Sequence, residues 1–154
     1  MPESKNDNLG PTGAILYDLP SSYVPHKGTG LLHMSRFLAK IRKHLADELP
    51  ASYQRNFCRG FDGFLCAHLG VDPKAVVELV RECGADEALL DKRLAELLPG
   101  DLRVHVWNRE LVQKGMSEMG RQRLEEIKAD MGIAHRTDLI SFADMIDFDE
   151  GRIK

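Results

Sequence analysis

The chain has 154 residues, of which 43% are hydrophobic and 29% are charged, and its formal net charge is −3. This length is typical of one domain, and the composition is that of a folded globular protein. A general nucleic-acid binder would carry a strongly basic surface, which the net charge does not suggest. We therefore expect a single domain over residues 1–154, without nucleic acid as a partner.

The three cysteines, Cys58, Cys66 and Cys83, show no paired spacing. The N-terminus lacks the basic start and apolar stretch of a secretion signal, and no apolar run reaches the roughly 20 residues of a membrane helix. An odd set of unpaired cysteines is typical of a reducing compartment. We therefore expect buried thiols, a cytoplasmic location and no membrane contact.

Prolines and glycines crowd the first 30 residues and would stop any helix before it propagates. They are Pro2, Gly10, Pro11, Gly13, Pro20, Pro25, Gly28 and Gly30. Apolar residues between them, such as Ile15 and Leu19, predict that this segment lies across the rest of the protein. We expect an irregular arm over residues 1–30, with only the first dozen residues loose, and a helical body over residues 31–152.

The first predicted helix covers residues 31–49 and stops at Pro50. Its apolar residues recur at steps of three and four and predict one buried stripe: Met34, Phe37, Leu38, Ile41 and Leu45. Arg36, Lys40 and Lys43 share the opposite side of the helical wheel. The pattern predicts an amphipathic helix with a basic outer face.

Six further helical segments follow. Their predicted caps are Asp72, Asp101, Ser117 and Thr137, and their predicted ends are Gly70, Gly84, Pro99, Gly115 and Gly132. No window alternates with period two over a strand's length, and no internal repeat is present. The sequence predicts an all-α fold, a compact bundle of about seven short to medium helices.

Charge is unevenly distributed along the chain. Residues 26–59 hold seven Lys or Arg against two acids, whereas residues 138–152 hold five acids against Arg152. Segments of opposite charge attract each other when both lie in one compact domain. We expect the acidic stretch from Asp144 to Glu150 to lie close to the basic helix through surface pairs; the alternative is a partly buried network of Arg36 or Lys40 with Asp147 or Asp149.

Three groups of residues are candidates for a binding site. Arg36 and Lys40 can bind a phosphate or carboxylate, although a solvated helix face is the alternative. Tyr53 and Asp62 belong to the segment 53–63, which holds two glycines between helices and can shape a pocket, although Asp62 can instead cap the next helix. The histidines beside the basic face, His33 and His44, would lie roughly 16 Å apart and cannot share a metal ion.

Trp107 and Asn108 form the third group. A lone tryptophan in a small protein usually anchors the core with its indole N–H bonded to a carbonyl, so a structural role is the alternative to ligand contact. In the same way, Asn108 can tie its helix to the N-terminal arm. No nucleotide, zinc or serine-nucleophile motif occurs, and the acidic tail lacks the spacing of a calcium loop. We therefore expect no metal and no cofactor.

Several short motifs in order carry a resemblance over residues 16–152. They are Ser35 to Arg42 (SRFLAKIR), Gly60 to Gly63 (GFDG), Trp107-Asn108 and Asp149 to Arg152 (DEGR). Together they resemble the bacterial domain of unknown function family 5069. The resemblance implies a bacterial cytosolic protein but no activity, because the family has none to carry over. Ala39 and Ala85 depart from its pattern, which tends to place an acid and a Ser or Thr there.

Two hypotheses of function follow. The first is a non-catalytic helical binding module for a protein partner or a small anionic ligand, because no catalytic set is recognisable. The second is a small enzyme or accessory subunit acting on an anionic metabolite, with Asp62 as base, Tyr53 as donor and Arg36 or Lys40 as anion clamp. A deep pocket holding all four side chains would favour the second hypothesis.

Overall fold

The computed structural model describes residues 13–154, which form eight α-helices and no β-strand. The helices are α1 (Met34–Leu45), α2 (Ala51–Gln54), α3 (Phe61–Leu69), α4 (Pro73–Cys83), α5 (Glu87–Leu97), α6 (Val104–Gln113), α7 (Glu118–Asp130) and α8 (Phe142–Asp149). The predicted all-α class is confirmed. The helix missing from the sequence prediction is α2, whose four residues are too few to show a periodic apolar pattern. None of the described helices is long and apolar enough to cross a membrane.

The predicted caps at Asp72 and Ser117 are confirmed. The Asp72 carboxylate accepts a hydrogen bond from the amide of Lys74, and Pro73 occupies the first helical position of α4. The Ser117 hydroxyl accepts one from the amide of Gly120 at the start of α7. In both places a side chain satisfies an amide that the first turn leaves without a helical partner, which fixes where the helix begins.

Two predicted caps are wrong. Asp101 accepts a hydrogen bond from the amide of Arg103, and Arg103 itself precedes α6 with a left-handed φ of 46° and no side-chain cap. The last helix begins later than Thr137 predicts, because the Ser141 hydroxyl accepts the amide of Asp144. The segment between them is irregular, and its Asp138 carboxylate pairs with a neighbouring guanidinium instead of opening a helix.

The described part of the arm lies across the helical body, as predicted. Residues 25–32 form a tight turn in which His26 donates its amide to the carbonyl of Leu31. Leu19 and Ser22 are buried, and the Ser52 hydroxyl on α2 donates to the carbonyl of Ala14. The expectation that the first dozen residues are loose concerns residues outside the described part of the chain.

The larger hydrophobic core gathers side chains from α1, α3, α4, α5 and α6. Trp107 is fully buried in it and donates its indole N–H to the carbonyl of Leu32 over 2.9 Å. Asn108 accepts the amide of Leu32 and donates to the carbonyl of Gly30. The structural interpretations of Trp107 and Asn108 are therefore confirmed, because both fasten α6 to the end of the arm.

A smaller hydrophobic cluster joins α7 and α8 around Leu124, Leu139 and Met145. The loop before α7 approaches the start of α8 closely: a Cβ at Gly115, whose φ is 103°, would meet the amide nitrogen of Phe142 at 3.1 Å. Only glycine is free of strain in that conformation. The second cluster faces α1, α2 and α3 across a cleft.

The predicted basic outer face of α1 is wrong. Arg36 and Lys40 are buried, with 4% and 5% exposure, and of the three predicted cations only Lys43 stays near the surface. A helical wheel assigns charge to solvent, but here each buried cation meets a carboxylate from another part of the chain. Helix α1 therefore packs on both sides and is the central element of the fold.

Candidate functional site

A cavity of about 480 Å³ occupies the cleft between α1, α2 and α3 on one side and α7 and α8 on the other. Its apolar lining consists of Phe61, Phe64, Ile127, Met131, Phe142, Met145 and Ile146. Its polar lining consists of His33, Arg36, Lys40, Ser52, Tyr53, Arg55, Asn56, Arg59, Arg123, Asp149 and Glu150. The volume and the mixed lining are typical of sites for small organic molecules.

Asp62 is the centre of the first buried polar network beside the cavity. Its Oδ1 lies 2.6 Å from His33 Nε2, and its Oδ2 lies 2.8 Å from Lys40 Nζ and 2.9 Å from the amide nitrogen of Cys58. On the far side of the imidazole, His33 Nδ1 lies 2.9 Å from the hydroxyl of Ser22. Every oxygen of this buried carboxylate therefore has a donor.

The protonation state of this network follows from its burial. Burial lowers the pKa of His33 further than its hydrogen bond to Asp62 raises it, so the imidazole is neutral. Burial raises the pKa of Asp62, but the hydrogen bond from His33 and the charge of Lys40 outweigh it, so the pKa is lowered and the group is ionised. Neutral His33 then donates from Nε2 to Asp62 and accepts the Ser22 proton at Nδ1.

Two residues that bond to Asp62 have an unfavourable backbone conformation. His33 has a φ of 74° and Cys58 a φ of 63°, both in the left-handed region. For residues with a side chain this conformation costs of order 1–3 kcal/mol, and it persists where surrounding contacts fix it. The contacts that fix these two residues include the bonds to Asp62 and, for His33, two bonds to Ser22.

Glu150 is the centre of a second network at the other end of the cavity. Arg36 donates to its two oxygens over 2.8 and 2.7 Å, and the Tyr53 hydroxyl donates to Oε2 over 2.7 Å. Arg152 adds a contact of 2.9 Å to Oε1. Burial raises the pKa of Glu150, but these donors, Arg36 foremost, lower it further, so the carboxylate is ionised.

The predicted approach of the acidic end to the basic helix is confirmed, but through different partners. Arg36 pairs with Glu150, and Lys40 pairs with Asp62. Asp147 instead accepts from the hydroxyl of Ser21 and pairs with Arg152. Charge composition predicted which segments meet, while the register of α8 decides which carboxylate reaches α1.

The buried cations are therefore already compensated inside the protein. Arg36 has Glu150, and Lys40 has Asp62. At the mouth of the cavity Arg55 and Arg59 are exposed, and no carboxylate within residues 13–154 pairs with either guanidinium. The mouth thus carries two guanidinium groups without a described carboxylate partner, in a lining that also holds Arg123, paired with Glu126, and Asp149.

The six sequence candidates fall into three positions. Arg36, Lys40 and Tyr53 line the cavity, whereas Asp62 lies behind Lys40 and His33. Asp62 does not cap α3, whose N-cap position is Gly60 without a side-chain bond; it accepts one backbone amide, that of Cys58.

Trp107 and Asn108 make contacts in the core and with the arm, away from the cavity lining. Sequence reasoning did not select Glu150 or the apolar wall. An apolar stripe on a helix indicates core by default, and only the half-buried state of Ile127 and Phe142 shows that part of the stripes of α7 and α8 faces the cavity.

The thiols are not available as ready nucleophiles. Cys66 and Cys83 are buried, as expected, and Cys58 is half-buried. Burial raises the pKa of Cys58, and it raises that of Cys66 to about 12. Within the described residues, no three His, Cys, Asp or Glu side chains converge in a way that could hold a metal ion.

The all-α fold and the cavity define a helical protein with a small-molecule-sized site. A family model described as Domain of unknown function (DUF5069) matches residues 20–152, and the chain belongs to this family. No curated protein matches the chain. No solved structure matches it either.

Proposed function

We propose that this chain binds a small amphipathic anion, an organic molecule with an apolar body and a carboxylate or phosphate group. The observation that carries the proposal is the cavity itself, apolar on the α7 and α8 side and bordered by the unpaired guanidinium groups of Arg55 and Arg59 at its mouth. Burial of the apolar body against this wall removes it from water, which is favourable. The charged group remains at the exposed mouth, where it keeps its hydration.

In this arrangement Arg55 and Arg59 bind the anionic group. A guanidinium presents paired N–H donors that match the oxygens of a carboxylate or phosphate, and such bonds are stronger than neutral ones. Arg36 and Lys40 do not serve as the primary clamp, since a second anion beside Glu150 or Asp62 would be repelled. Their role is to fix the polar wall.

A small molecule fits this cavity better than a protein partner does. The concave, mixed lining is typical of ligand sites, whereas protein interfaces are broad and depend on a central cluster of anchors. The rival hypothesis of an enzyme needs Asp62 in contact with the substrate, and Asp62 lies behind the cavity wall. We therefore favour binding over acid–base catalysis by Asp62.

The test is an NMR titration of backbone amides with three probes: octanoate, 1-octanol and acetate. Octanoate has both an apolar chain and a charge, and each of the others has only one of them. We expect saturable shifts at α3, α7, α8 and residues 53–60 for octanoate, and weaker binding for 1-octanol and acetate. Absence of saturable shifts, or shifts spread over the surface away from the cavity, would contradict the proposal.

A further inference from the structure

Lys40 places a primary amine at the cavity wall next to a carboxylate of fixed position. Its side chain is 6% exposed, and its Nζ lies 2.8 Å from Asp62 Oδ2. His33 and the amide of Cys58 also bond to the Asp62 carboxylate and hold it in place. Lys40 therefore lines a cavity whose wall is partly apolar, and its amine has a proton acceptor in direct contact.

On the basis of the proposed function, we propose that Lys40 forms a reversible imine with an aldehyde or ketone group of the bound anion. The ligand class is then a carbonyl compound that also carries an anionic group and an apolar body. A lysine in a desolvated pocket is a recognised type of nucleophile toward carbonyl carbon. The mouth guanidiniums hold the anionic end of the ligand, while the carbonyl reaches the amine at the wall.

The step balances without an oxidant or reductant. The Lys40 ammonium passes one proton to Asp62, and the free amine adds to the carbonyl carbon. The resulting carbinolamine takes up that proton and loses one water molecule, so that a C=N bond replaces the C=O bond. The product is a protonated imine with the same charge as the original ammonium, still paired with the Asp62 carboxylate.

The electrostatic surroundings of the amine favour this reaction. Burial lowers the pKa of Lys40, and the positive charge of Arg36 lowers it further, while Asp62 and any charge on Cys58 oppose the effect. The net pKa is lowered, and His33 beside Asp62 is neutral. A larger fraction of Lys40 is therefore in the reactive neutral form than for an ordinary lysine.

Lys43, one turn later on α1, provides a control within the same molecule. It is paired with Asp18 at the surface, and this hydrogen bond raises the pKa of Lys43. Accessibility favours reaction at Lys43, whereas the pKa favours reaction at Lys40. Comparing the two lysines therefore separates an activated amine from a merely exposed one.

The experiment treats the full-length protein at pH 8 with 4-carboxybenzaldehyde and sodium cyanoborohydride, and peptide mass mapping measures the labelling rate of each lysine. We expect Lys40 to be labelled several times faster than Lys43, because the pKa of Lys40 is lowered and that of Lys43 is raised, so that Lys40 has the larger neutral fraction. In urea-unfolded protein the two rates should be equal. Equal or slower labelling of Lys40 in the folded protein would overturn the inference.

A second probe separates this inference from the proposed function. 4-Carboxybenzyl alcohol has a similar shape and the same charge but no aldehyde group, and its binding is followed through the same amide shifts as that of octanoate. If it binds in the cavity while Lys40 is not labelled by the aldehyde, the imine is wrong and anion binding stands. If neither compound binds although octanoate does, the imine alone is wrong, and if octanoate also fails to bind, both proposals fail. The variant Lys40→Arg keeps a cation beside Asp62 and should bind the alcohol without labelling at position 40.

Discussion

Arg36 and Glu150 form a bidentate ion pair across 114 residues of sequence, with N to O distances of 2.8 and 2.7 Å. Arg36 belongs to α1 in the larger hydrophobic core, and Glu150 follows α8 in the smaller cluster. Both side chains are almost fully buried. The pair therefore connects the two clusters at one end of the cavity and sets the position of α8 relative to α1.

Removing one member of this pair should destabilise the protein strongly. A partner left in a buried site without its counter-charge costs about 3–5 kcal/mol, so Glu150→Gln and Arg36→Met should each lower the free energy of unfolding by this order. Urea unfolding measures the free energy of unfolding of each variant. The exposed pair between Arg42, also on α1, and Glu87 on α5 is the control, and Glu87→Gln should cost at most about 1 kcal/mol. Similar small losses for both pairs would contradict the account.

Trp107 should contribute to stability and not to ligand binding. Its side chain is fully buried in the larger core, so Trp107→Ala should lower the free energy of unfolding by about 3–5 kcal/mol. Val106→Ala, at the exposed neighbouring position, should change it by less than about 1 kcal/mol. Octanoate binding to the folded fraction should be unchanged in both variants. A loss of binding without a loss of stability would place Trp107 in the site.

Acid should destabilise the protein in two stages. The pKa of buried His33 is below its ordinary value of 6.5, so the unfolded chain binds a proton first and stability falls as pH drops below about 6.5. Burial also lowers the pKa of His26, so His26 contributes to the same fall in stability. The pKa values of Asp62 and Glu150 are also lowered, and their contribution, fully present above their unfolded values near 4, is lost as pH falls further.

The measurement is urea unfolding at successive pH values from 8 to 4. In His33→Gln the fall between pH 6.5 and 5 should be shallower than in the unchanged protein, because one of the groups that titrates differently on unfolding is gone. An identical slope in both proteins would mean that His33 is not the neutral, buried group described above.

The helices were largely predictable from sequence, and the site was only partly so. The stripe around Phe37 and the proline after Asp72 are local signals, and local signals decide where α1 and α4 form. The burial of Arg36 is not local, because it depends on a carboxylate that arrives from the far end of the chain. For the same reason Asp62 looked like a helix cap, although its partners lie on α1 and in the loop before α3.

Ligand affinity should depend on salt. Arg55 and Arg59 are exposed, so their attraction for an anion is screened as the Debye length falls from about 10 Å at 0.1 M salt to about 3 Å at 1 M. The dissociation constant of octanoate should therefore rise with sodium chloride concentration, while that of 1-octanol should not. Calorimetric titration at about 0.05, 0.15 and 0.5 M sodium chloride measures the two dissociation constants over a range in which the Debye length changes severalfold. An equal response of the two probes would contradict the role of the mouth arginines.

The most direct test of anion binding in the cavity is the affinity of octanoate for the double variant Arg55→Ala/Arg59→Ala. The control is Arg109→Ala/Arg121→Ala, which removes the same charge from exposed positions outside the cavity lining. A charge-assisted hydrogen bond contributes about 1.5–3 kcal/mol, so the first variant should bind octanoate at least about tenfold more weakly, and the control should be close to the unchanged protein. Equal affinity in the two variants would contradict the account.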